Sequence, residues 1–130
     1  MTTMKLFLFA LALPVFAFQS NEEYPALMKA AAGANGKFQK AVQADPASAE
    51  SAATDAKNAF QKIEEFWAKR GTADAQTFAK NIIQAIDESA AAGKAGNKDE
   101  AQAAAKKVGA NCKGCHDAHR EKGGDGWVIK

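Results

Sequence analysis

The chain has 130 residues, enough for one domain with a core of its own and too few to expect two. It carries 17 Lys and Arg against 15 Asp and Glu, a formal net charge of +2 at neutral pH, and so even a balance argues against nucleic acid as a partner. Its two cysteines, Cys112 and Cys115, lie so close in sequence that a disulfide between them would constrain the unfolded chain very little; the pair needs another explanation.

The first residues, MTTMKLFLFALALPVFAFQS, place Lys5 before an apolar run from Leu6 to Phe18, with small residues at Val15-Phe16-Ala17 where a signal peptidase reads. This predicts a secretory signal peptide over residues 1–17, a mature domain over 18–130 and a periplasmic location. The run is shorter than the roughly 20 apolar residues that span a bilayer, and Pro14 and Gln19-Ser20-Asn21 bound it, so cleavage is favoured over an uncleaved anchor. No stable membrane span is expected once the leader is gone. Without it the aromatic stock is Phe18, Tyr24, Phe38, Phe60, Phe66, Trp67, Phe78 and Trp127, and most other apolar residues are alanine. Alanine faces bring helices close but bury little area each; a large apolar cofactor would fill that gap, although alanine-rich bundles without one exist.

No strand pattern follows the leader, and Ala, Lys, Glu and Gln dominate, which is a helical composition. A first helix is expected over about residues 22–42 behind Asn21 as N-cap, with Leu27, Met28, Ala31, Ala34, Phe38 and Val42 on one stripe. A second starts at Asp45-Pro46, carries Ala49, Ala52, Ala56, Phe60, Ile63 and Trp67, and stops at Gly71. A third follows Thr72 through Phe78, Ile82 and Ile86 to the Gly93 to Gly96 region. The fourth opens on the capping pattern Asn97-Lys98-Asp99-Glu100 and runs through Val108, Cys112, Cys115 and His119. Short links between four helices of this length make an antiparallel up-down-up-down bundle, all-α, the expected fold. The tail GGDGWVIK is a breaker cluster with a short apolar end and no evident role.

The chemistry concentrates in CKGCH, Cys112 to His116. On a helix, Cys112, Cys115 and His116 fall within one stripe about 100° wide. That suits covalent haem: two thiols add across two vinyl groups on one porphyrin edge, and the adjacent imidazole reaches the iron; C-x-x-C-H is the recognised attachment pattern for c-type haem. Zinc is a second reading, with Cys112, Cys115, His116 and His119 as ligands. A tetrahedral site needs them to converge, whereas i, i+3, i+4 and i+7 of one helix spread over about 10 Å of its axis. A redox dithiol is a third. Its reactive cysteine sits at a helix N-terminus beside a strand, but here the pair lies near a helix C-terminus, where the dipole opposes a thiolate.

An exported four-helix chain with C-x-x-C-H late in its sequence resembles the class II cytochromes c, the family of cytochrome c′ and its low-spin relatives. The likeness extends to Arg120, which follows the motif at the family's spacing, whereas His119 stands where the family has Tyr or Phe. The resemblance implies one haem c per chain, bound through Cys112 and Cys115, with His116 as proximal iron ligand and Arg120 near the proximal haem face or a propionate. The family's distal position, in an R-x-x-x-M or R-x-x-x-L pattern of the first helix, falls on Met28, with Tyr24 in place of the arginine. A thioether is a good sixth iron ligand, and core filling is its ordinary alternative. Trp67 is the favoured aromatic neighbour of the ring.

The expected function is a periplasmic carrier of single electrons between redox partner proteins, its iron held by His116 and Met28. Lys106, Lys107, Lys113 and Lys122 offer a basic rim to an acidic partner. The alternative is a five-coordinate haem protein that binds a small gas such as NO or CO; a structural bundle without haem is the third. The family's habit of pairing makes a homodimer part of what the resemblance implies. No catalytic constellation is visible, so enzymatic turnover is not expected.

Overall fold

The computed structural model describes residues 21–124 and 126–130; the leader reading of residues 1–17 lies outside them. A short 3-10 turn, Asn21–Glu23, leads into α1 (Tyr24–Ala44); a second, Pro46–Ser48, precedes α2 (Glu50–Arg70), followed by α3 (Ala73–Lys94) and α4 (Lys98–His119). Two four-residue strands, β1 (Arg120–Gly123) and β2 (Gly126–Ile129), finish the chain as an antiparallel hairpin.

The helices form because alanine and unbranched polar residues carry little helical cost, and each buries one stripe. Three start signals act differently from expectation. Asn21 sits in the 3-10 turn, and Glu23 precedes α1 without a side-chain cap. Asp45 and Pro46 begin a 3-10 turn rather than α2 itself: the Asp45 carboxylate accepts from Ala47 N at 3.2 Å and from the Ser48 hydroxyl at 2.6 Å, which holds the link folded before Glu50. Thr72 precedes α3 without a side-chain bond. Asn97 behaves as expected, accepting from Glu100 N at 3.3 Å, and Gly71 ends α2 in the left-handed conformation. The four-helix bundle expected from the sequence is present, and the hairpin adds two short strands that the all-α reading did not include.

Cross-helix pairs give the direction of packing. Lys57 meets Asp87 at 3.0 Å and Lys94 meets Glu50 at 3.1 Å, so α2 and α3 run antiparallel. Lys107 meets Glu88 at 3.4 Å and the Ser89 hydroxyl donates to Ala101 O at 2.7 Å, which does the same for α3 and α4. Trp67 Nε1 donates to the Tyr24 hydroxyl at one end of α1 and α2, and Gln39 Nε2 reaches Ala105 O at 3.0 Å between α1 and α4. The four helices therefore pack up-down-up-down, with α1 meeting α4 more thinly than the other neighbours meet.

One continuous core runs through Phe38, Val42, Phe60, Ile63, Phe66, Trp67, Ile82, Ile86 and Val108, with alanines between them. Among the described residues no helix is long and apolar enough to cross a membrane.

Candidate functional site

At one end of the bundle the start of α1, the end of α2, the start of α3 and the end of α4 meet, and the hairpin is attached there. The end of α4 carries Cys112, Cys115 and His116 at helical spacing, as their sequence positions require. Cys115 is buried, Cys112 and His116 half-buried, and both thiols are free. Two hollows border these residues. An outer cleft of about 500 Å³ lies between α1, α4 and the hairpin, walled by Tyr24, Pro25, Met28, Cys115, His116, Arg120 and Trp127 among others; cofactor pockets occupy roughly 300–1,000 Å³. A small interior hollow lies between the four helices, lined by Tyr24, Met28, Phe60, Phe78, Cys112, Cys115 and His116.

Met28, far from the motif in sequence, thus lines both hollows together with Cys115 and His116. Arg120 lies in β1, half-buried at the cleft, with its guanidinium carbon 4.0 Å from the centroid of the Trp127 ring. Trp67 is not among the residues that line either hollow. It is 1 % exposed and sits behind Tyr24, whose ring centroid is 5.3 Å away. His119 also packs against Trp67, at 5.2 Å, and bonds Asp74 of α3 at 2.7 Å. This pair ties the end of α4 to the start of α3.

The electrostatics of the site follow from burial. Burial pushes the Cys112 thiol up and the Cys115 thiol up to about 11, the latter helped by nearby Cys112 and Asp74. A redox dithiol needs the reverse, a thiol pulled down toward neutrality. Burial, then the Arg120 charge, holds His116 below its ordinary value, so its imidazole is neutral at neutral pH and keeps a lone pair for coordination. Tyr24 is pushed up to about 12 because burial outweighs its bond from Trp67; its hydroxyl stays protonated.

Among the described residues no group of three or more His, Cys, Asp or Glu is arranged to hold a metal ion, as the axial spread of 112, 115, 116 and 119 along one helix dictates. An imidazole, a thioether and the Cys115 thiol face both hollows and the Cys112 thiol the interior one alone; these donor types are those a haem takes, whose iron asks for axial ligands only.

Between the cysteines, Lys113 pairs with Asp117 at 2.6 Å on the outer face. Gly114 faces inward: a Cβ there would stand 2.8 Å from the Phe78 ring. Sequence reasoning missed four contributors to this end. Tyr24 was read only as a replacement for an arginine, Phe78 only as core, and Trp127 and Val128 as an unassigned tail. The one local signal for the hairpin was the glycine cluster Gly123-Gly124-Asp125-Gly126, a tight-turn composition.

The chain matches no family model, no curated protein and no solved structure.

Proposed function

We propose that this chain is a c-type cytochrome that carries single electrons in the periplasm, with one haem bound through Cys112 and Cys115 and its iron held by His116 and Met28. The observation that supports it most is the position of Met28: a thioether from α1 lines both hollows together with Cys115 and His116, and the interior one with Cys112 as well. When bound, haem supplies a one-electron couple whose potential depends on axial ligands and burial. The chain's own residues do the rest. Cys112 and Cys115, neutral thiols before attachment, would each add S–H across a vinyl group and hold the edge of the group to α4 as thioethers. His116 offers a neutral ring nitrogen. Tyr24, Pro25 and Met28 provide an apolar wall that limits water. Export to the periplasm follows from the reading of residues 1–17 as a leader.

Two measurements test the proposal. Protein matured in a host with haem-attachment machinery is digested, and the peptide spanning Cys112 and Cys115 is weighed. A mass increased by one haem is expected; an unmodified peptide overturns the reading. Electronic and electron-spin spectra of the ferric protein are then compared with Met28→Ala. A low-spin starting protein that becomes high-spin is expected. A starting protein already high-spin and unchanged by the substitution removes Met28 from the iron and leaves the gas-binding alternative.

A further inference from the structure

The resemblance accounts for Arg120 of β1 but not for β2, which brings Trp127 and Ile129 to the cleft. The hairpin's register pairs Arg120 with Ile129 and Lys122 with Trp127, and side chains alternate across a strand. Arg120, Lys122, Trp127 and Ile129 therefore share one face, and three of them line the cleft. Two features of that face are unusual. Trp127 is 53 % exposed, although a tryptophan without a core to join gains little from being ordered. Arg120 is half-buried against Trp127, and among the described residues it forms no ion pair. A guanidinium is the side chain best shaped to take a carboxylate in two parallel bonds. It lines an otherwise mostly apolar cleft to which, among the described residues, Glu22 alone contributes a carboxylate.

We infer that Trp127 is a positioning residue: stacked against Arg120, it holds the guanidinium at the cleft mouth to receive a carboxylate of a planar, apolar-faced cofactor, and with Ile129 of the same face it keeps water from His116. This deepens the haem reading and rests on it, since haem has that shape and that anionic edge.

The test begins on the full chain without haem. His116 is modified with diethyl pyrocarbonate at a fixed pH, and its rate is followed by mass spectrometry for the unsubstituted chain, Trp127→Ala, Trp127→Phe and Glu121→Ala. Glu121 is exposed on the opposite face of the same hairpin, so it reports general loosening. A several-fold faster rate for Trp127→Ala, restoration by Trp127→Phe and no change for Glu121→Ala are expected. An unchanged rate in Trp127→Ala overturns the inference, as does an equal rise in Glu121→Ala. In haem-loaded protein, Trp127→Ala and Arg120→Ala are each expected to lower the midpoint potential. Water and the loss of an adjacent cation both favour the more positive ferric state; an unchanged potential in both overturns the cofactor part. The haem reading itself fails by peptide mass, a separate readout that leaves the His116 rates standing.

Discussion

The two ends of the bundle are built on opposite plans. At the end away from the cysteines, the Pro46–Ser48 turn crosses against the end of α3, and Gly93 lies so close that a Cβ would run into the Pro46 carbonyl. Small residues close that end on themselves. The CKGCH end holds Tyr24, Phe66, Trp67 and His119 in ring contact, and beside them lies a cleft of about 500 Å³. Alanine-rich helices are thus able to pack without help, as the first end does. The opening at the second is bounded by large side chains and a hairpin, whereas a groove of like volume between α1 and the start of α2 is lined by small and polar residues such as Ala30, Gly33, Ser48 and Ser51.

Substitutions at the two ends sharpen that contrast. The largest effect is expected at Trp67, fully buried behind the cleft: Trp67→Ala should cost about 3–5 kcal/mol in denaturant unfolding, and a loss well below this range would make the aromatic end a loose cover rather than a foundation. Gly93→Ala should cost about 1–3 kcal/mol at the closed end, against the usual helical gain of alanine over glycine; a stabilised variant would show that end to be slack.

The next test is one of pH. The His119 hydrogen bond, foremost, holds Asp74 below its ordinary value of 3.8. A carboxylate lowered in the fold stabilises it above the unfolded value, and that contribution disappears as pH falls through the folded one. Asp74→Asn should therefore melt at a lower temperature at neutral pH, and the two melting curves should converge in the acid range. Parallel offsets at every pH would mean the pair does not act through charge. The smallest effect is expected at Trp127, where Trp127→Ala should change global stability by no more than about 0.5 kcal/mol. A larger loss in a thermal melt would make the hairpin part of the bundle rather than an addition to it.

The helices were legible because their apolar stripes repeat over some twenty residues each, long enough for period to outweigh noise. The placement of Cys112, Cys115 and His116 on one face followed from the same period. The hairpin was not legible: β1 reads Arg-Glu-Lys-Gly, with no apolar alternation, and its order comes from Trp127 stacking and from Lys130 N donating to His119 O. Trp67 was the favoured aromatic neighbour of the ring; its packing against Tyr24 depends on how α1 meets α2, which no single-helix pattern encodes. Asp45 and Pro46 carried a strong start signal, and the extra turn after them arises from side-chain bonds to Ala47 and Ser48 that compete with the helix.

The two middle letters of CKGCH carry no chemistry of their own, yet the fold treats them unequally. Position 113 points to water and needs only a side chain that tolerates it, whereas position 114 abuts the Phe78 ring. In a library randomised at both sites, position 113 should drift freely. Position 114 should stay glycine, or change only together with a smaller residue at 78, so that part of an apparently open motif is written by a neighbouring helix.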